Sequence, residues 1–104
     1  MVTADPVVAH YADAVRQRLG ARVKSITLYG SRARGDAKPG SDYDMLLVLT
    51  ERTPATRAIV LEIECEILDR HGELVASLIR DEREWQRAQG FPLARNVARE
   101  GIAV

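Results

Sequence analysis

Gly30-Ser31, a ten-residue spacer and then Asp42-Tyr43-Asp44 form the stretch of this chain best suited to chemistry. A glycine-serine turn leaving a strand can hold phosphates, because glycine lets an anion approach the backbone closely and serine adds a donor. Two carboxylates spaced i, i+2 on the next strand point to one face of the sheet. Together they are the minimum apparatus for gripping a metal-bound nucleoside triphosphate. At roughly 5–7% usage for each residue type, four fixed residues at fixed spacing arise by chance in about one chain in 10³ of this length. The flanking apolar runs, Ile26-Thr27-Leu28-Tyr29 and Met45-Leu46-Leu47-Val48-Leu49, supply a strand–turn–strand context.

The surrounding elements must bring the turn and the acids together. Asp5-Pro6 reads as a helix start, a capping acid before proline at the first helical position. Val8, Tyr11, Val15 and Leu19 continue as one apolar stripe, and Gly20 is a stop signal. Val23 to Tyr29 reads as strand 1, Ser31 to Gly35 as a short helix or turn, Gly35 to Gly40 as loop, and Asp42 to Leu49 as strand 2. Between Pro54 and Arg70, the run Leu61-Glu62-Ile63-Glu64-Cys65-Glu66-Ile67 alternates like a strand. On a helical wheel, however, Glu62, Glu66, Asp69 and Arg70 share a polar face that only Glu64 violates. The length, the Thr53-Pro54 start and the His71-Gly72 end decide for a helix. Glu73 to Ile79 reads as strand 3. Asp81-x-x-Glu84 opens a short helix with Trp85, Gly90 breaks it, and Pro92 to Glu100 is a last helix closed by Gly101. Ile102-Ala103-Val104 is left as an apolar tail. The expected fold class is α/β (α+β), a small mixed sheet flanked by helices.

Topology follows from where the chemistry sits. Gly30-Ser31 ends strand 1 and the aspartates open strand 2, so they meet only if these strands are antiparallel. A helix of crossover length separates strands 2 and 3, which makes them parallel with a right-handed connection. Glu73 then lies at the same sheet end as Asp42 and Asp44, and three carboxylates converge. Three acids repel unless cations sit among them. Mg²⁺ suits a few carboxylates plus substrate phosphates, and two ions would stabilise both oxygens of an in-line displacement. The amides around Gly30-Ser31, helped by the start of the short helix, would take the triphosphate. Arg32, Arg34 and Lys38 either neutralise phosphate charge, pair with the acids or stay solvated.

This constellation resembles the DNA-polymerase-β-type nucleotidyltransferase superfamily and, within it, the minimal nucleotidyltransferase (MNT) family. Gly30-Ser31-Arg32-Ala33-Arg34-Gly35 and Ser41-Asp42-Tyr43-Asp44-Met45-Leu46-Leu47-Val48 carry the match, with the GS-x10-DxD spacing intact. Glu84-Trp85, Phe91-Pro92-Leu93, Asn96-Val97 and Arg99-Glu100-Gly101 extend it to the end of the chain. The resemblance implies the nucleotidyltransferase fold and transfer of a nucleoside monophosphate, AMP from ATP, with release of pyrophosphate. It implies Asp42, Asp44 and Glu73 as catalytic, metal-holding carboxylates and Gly30, Ser31, Arg32, Arg34 and Ser41 as nucleotide-binding residues. It also implies a partner: many members act as antitoxin to a small helical HEPN ribonuclease, and some attach AMP to one of its tyrosines. The superfamily's third carboxylate is usually aspartate, whereas Glu73 is one methylene longer. That keeps a second reading open, an NTP-binding antitoxin that works by contact alone. A third is a small-molecule nucleotidyltransferase whose substrate site a partner completes.

Composition bounds these readings. The 104 residues suit one minimal domain spanning 1–104, with no room for a separate substrate domain. Fifteen basic and fifteen acidic residues give zero net charge, which argues against broad nucleic-acid binding. Lone Cys65 points to a reducing, cytoplasmic location. No apolar run reaches membrane-spanning length, and the start lacks a basic-then-apolar targeting pattern. An EF-hand loop is excluded because Met45-Leu46 stand where it needs polar residues or glycine. His10 and His71 have no partner visible in the sequence, and Trp85 and Phe91 are anchors for a core or a partner. One short domain offers little surface to enclose an acceptor, so the working unit is expected to be an assembly with a second chain or a homo-oligomer.

Overall fold

The computed structural model describes residues 5–104, so the reading of the first four residues lies outside the described residues. The order is α1 (Pro6–Leu19), a 3₁₀ turn (Gly20–Arg22), β1 (Val23–Tyr29), α2 (Ser31–Arg34), β2 (Tyr43–Leu49), α3 (Pro54–His71), β3 (Val75–Asp81), α4 (Glu82–Arg87), α5 (Pro92–Glu100) and β4 (Ile102–Ala103). The strands form one mixed sheet in the order β3-β2-β1-β4, with β1 antiparallel to β2 and β4, and β2 parallel to β3. The expected pairing of strands 1, 2 and 3 is thus the observed one.

Strand alternation divides the sheet into two faces. Tyr43, Met45, Leu47 and Leu49 join Val8, Tyr11 and Val15 of α1 and Val60, Ile63 and Ile67 of α3 in one buried cluster. Asp44, Leu46 and Val48 face the other way. Leu46 and Val48 are buried there, where α4 lies against β2 and β3 and α5 against β1. Burial on both faces explains why β2 reads as a continuous apolar run. Its first residues lie beyond that cover, so Asp44 is only partly buried and Asp42 is exposed.

The helices begin where chemistry dictates. Asp5 Oδ1 accepts from the amides of Val7 at 2.9 Å and Val8 at 3.4 Å. In α3, Thr53 and Thr56 form a reciprocal capping box. Thr56, Val60, Ile63 and Ile67 are its buried residues, at helical spacing. Glu64, the residue out of place on the polar face, accepts the Ser77 amide of β3 at 3.0 Å. This satisfies a donor on an edge strand that would otherwise invite pairing.

Three boundaries differ from the sequence reading. β2 begins at Tyr43 rather than Asp42, and β3 begins at Val75 rather than Glu73. Gly72 ends α3 in the left-handed region (φ 68°), and the chain needs Glu73 and Leu74 to reach the sheet, where the Leu74 carbonyl accepts the Tyr43 amide at 2.9 Å. The C-terminal tail is β4, paired with Thr27 and Leu28, and two residues are too few to show a period. The helical α3 leaves Cys65 exposed, whereas a strand would place it between Ile63 and Ile67 in the core. Native protein is therefore expected to react with a thiol reagent through Cys65 as fast as denatured protein, and Ile63→Ala should cost about 2–5 kcal/mol by denaturant titration.

Candidate functional site

β1 and β2 bring the turn and the acids together. Tyr29, the last residue of β1, lies opposite Asp44, so the next residue, Gly30, lies against the Asp44 carboxylate. Gly30 has φ 76°, a backbone that favours glycine. A β-carbon there would also overlap Asp44 Oδ2. Both conditions select glycine at this position. The Gly30 carbonyl then accepts the amides of Ala33 at 3.1 Å and Arg34 at 3.0 Å to start α2, and the amides of Ser31 and Arg32 precede the first of these bonds.

The charges around the turn are arranged asymmetrically. Burial raises the Asp44 carboxyl above the usual carboxylate range, the Asp42 charge raises it further, and Arg34 opposes both. Burial also raises the Tyr29 hydroxyl, with Asp44 adding to the rise and Arg80 opposing it. Arg34 is exposed. It donates to Asp36 at 3.1 Å and, through Nη1, to both Glu100 oxygens at 3.2 Å. Arg32 is held differently. Its guanidinium lies 4.3 Å above the Tyr43 ring and donates to the Ser41 carbonyl at 2.9 and 3.2 Å. The Tyr43 hydroxyl donates to Asp5 Oδ2 at 2.8 Å, and burial and this acid push it up to about 12. The loop before β2 is closed by Ser41, whose Oγ accepts the Lys38 amide at 3.0 Å.

Glu73 goes elsewhere. Val75 pairs with Tyr43, so two residues earlier the chain falls on the Tyr43 side of the sheet. Glu73 Oε2 lies 3.4 Å from Arg32 Nη2. Among the described residues, no three His, Cys, Asp or Glu side chains are grouped to hold a metal ion. Glu73 turns to Arg32, and Asp44 lies beside Gly30 with the Asp42 charge acting on it. The pair itself fits a hard divalent cation. It presents two oxygen donors at an open strand entrance, and its mutual repulsion is what bound positive charge relieves.

Sequence reasoning missed Glu100. It accepts the Gly30 amide at 3.2 Å as well as the Arg34 guanidinium. The signal was present in Arg99-Glu100-Gly101, but it takes the packing of α5 on β1 and the β4 pairing to bring that segment to the turn. His10 and His71 also proved to be partners: His10 Nδ1 and His71 Nε2 are 3.1 Å apart. They line a groove with Glu66 and Arg70 on the α1–α3 layer, away from the aspartates.

Comparison with known proteins agrees with the fold. Residues 8–98 match the family model described as a nucleotidyltransferase domain. A curated protein of Methanocaldococcus jannaschii, provisionally named a protein adenylyltransferase, is 26% identical over 97 residues, 93% of each chain. A chain of a toxin–antitoxin crystal structure with AMP-PNP superposes with a TM-score of 0.62 at 16% identity, covering 89% of this chain and 68% of the other. A chain from the complex of tri-AMPylated Shewanella oneidensis HEPN toxin with MNT antitoxin gives 0.53 at 14% identity, covering 93% and 70%.

Two outcomes test the site. Gly30→Val should destabilise the protein by about 1–3 kcal/mol from its glycine-favouring backbone alone (φ 76°, ψ −157°), measured by denaturant titration. Asp44→Asn should raise the melting temperature at neutral pH. A carboxyl raised on folding binds its proton more tightly in the native state, so its contribution to stability is present at low pH and lost as pH rises through its folded value. The advantage of Asp44→Asn should accordingly shrink on acidification, and a constant difference across pH would contradict the assignment.

Proposed function

The chain belongs to the nucleotidyltransferase domain family, and we propose that it transfers AMP from ATP to a partner protein, a HEPN-type toxin, as that toxin's antitoxin. The observation that carries the reading is that a β-carbon at Gly30 would overlap the Asp44 carboxylate, which supports a turn able to accept phosphate close to the acids. The relative named a protein adenylyltransferase supports AMP and a protein acceptor. The toxin–antitoxin neighbours support the partner.

In this reading, the amides of the Gly30-Ser31 turn and the Ser31 hydroxyl bind the triphosphate, and Arg34 neutralises part of its charge. Asp42 and Asp44 would hold Mg²⁺, which supplies charge stabilisation to the phosphates when bound. A tyrosine oxygen of the partner attacks the α-phosphorus, its O–P bond forms as the bond to pyrophosphate breaks, and the hydroxyl proton passes to solvent. Arg32 acts at one remove. Its bonds to Ser41 and Glu73 and its place over Tyr43 fix the entrance of β2, and so the direction of both acids. One chain offers little surface to orient the acceptor, and the partner must hold its oxygen in line. We place the reaction in the cytoplasm, where the exposed Cys65 stays reduced. The described residues contain no helix long and apolar enough to cross a membrane.

The ion pair of Glu73 with Arg32 favours a second reading, an antitoxin that binds NTP and neutralises by contact, because it leaves two carboxylates for the work of three. One experiment separates the two. The protein is incubated with the helical partner, labelled ATP and Mg²⁺, and the partner is analysed by mass spectrometry. An AMP-sized adduct on tyrosine supports transfer, and a stable complex without adduct supports contact alone. Asp42→Asn and Asp44→Asn should each slow transfer by about two to three orders of magnitude, since the lost ligand removes several kcal/mol of charge stabilisation. Ser31→Ala should weaken ATP binding by roughly 1 kcal/mol, about fivefold.

A further inference from the structure

Glu100 takes up donors of the Gly30 turn. Its carboxylate accepts the Gly30 amide at 3.2 Å and takes both oxygens to Arg34 Nη1 at 3.2 Å. Those are donors of the kind that phosphate oxygens take, an amide of the turn and a guanidinium beside it. The side chain of Glu100 is 13% exposed, against 46% for Arg34, so this anion is packed into the turn rather than paired across open surface.

The C-terminal segment is built to put it there. α5 ends at Glu100, and Gly101 fits where a β-carbon would overlap the Val97 carbonyl and the Thr27 side chain. Ile102 and Ala103 then pair with Leu28 and Thr27 as β4, and the Val104 amide bonds to the Ile26 carbonyl at 3.0 Å. Arg16 of α1 donates to the Val104 carbonyl at 2.6 Å. The residues that follow Glu100 are thus fixed on β1, the strand that delivers the turn, and on α1.

We infer that Glu100 is the internal anion of the phosphate turn, and that a triphosphate binds by displacing it. The inference rests on the nucleotide reading of the turn. A carboxylate left in place beside a phosphate would hold its donors and repel its charge, so binding must break the contacts to Gly30 and Arg34. Glu100 therefore sets which ligands the turn admits. Anions with phosphate charge gain the released donors, whereas a nucleoside without phosphates gains nothing from them.

Calorimetric titration with Mg²⁺-pyrophosphate, Mg²⁺-ATP and adenosine tests this on the full chain. Glu100→Gln keeps the size of the side chain and removes its charge, so pyrophosphate and ATP should bind about tenfold more tightly than to wild type, with adenosine unchanged. Glu100→Asp withdraws the charge by one methylene and should also gain affinity, which carries the test should Glu100→Gln fail to fold. Wild-type binding with equal or weaker binding by the variants overturns the role of Glu100 alone. Absence of ATP and pyrophosphate binding in all three proteins overturns the nucleotide reading itself.

Discussion

The close approach of the Gly30 backbone to the Asp44 carboxylate is the constraint on which the site depends. It exists because Tyr29 pairs with Asp44 across antiparallel strands. The chain then turns away at a residue with φ 76° and no side chain. Every other feature serves this junction. The central strand β2 is buried along most of its length, which fixes its register, and register decides whether Asp44 faces the turn or the core. A slip of one residue would bring Tyr43 to the turn and bury both aspartates.

Charge is divided between the two sides of the sheet entrance. On the core side, Arg32 joins the Ser41 carbonyl, Glu73 and the Tyr43 ring, and Tyr43 in turn reaches Asp5 at the start of α1. This network sets one guanidinium against two carboxylates, Glu73 and Asp5, and is partly buried. On the other side, Arg34 is exposed and faces Asp36 and Glu100, with its charge also acting on Asp44. The two arginines of Arg32-Ala33-Arg34 thus do different work despite adjacent positions in the motif. The first is held against Ser41, Glu73 and the Tyr43 ring, and the second is exposed.

Much of this was legible in the sequence for definite reasons. The aspartate spacing, the glycine-serine turn and the apolar runs prescribe two antiparallel strands, and a crossover helix prescribes the parallel third. The alternating Leu61 to Ile67 run was settled correctly by length and caps, because Thr56, Val60, Ile63 and Ile67 are the residues that reach the core. Glu73 was misplaced relative to the aspartates because its face depends on where β3 begins. That start is set by the left-handed Gly72 and by one bond from the Tyr43 amide to the Leu74 carbonyl, neither visible as periodicity. Glu100 was hidden for a related reason. Its neighbours in space belong to β1 and α2, some 70 residues earlier, and the β4 pairing that carries it there involves only Ile102 and Ala103.

The central claim is that nucleotide binds where Gly30 meets Asp44, and amide NMR of isotope-labelled protein during titration with Mg²⁺-ATP tests it most directly. The account predicts that the largest shifts fall in residues 30–35 and 41–45, with a further response at Glu100 and Gly101. Shifts concentrated instead around His10, Glu66 and His71, in the groove of the α1–α3 layer, would contradict it.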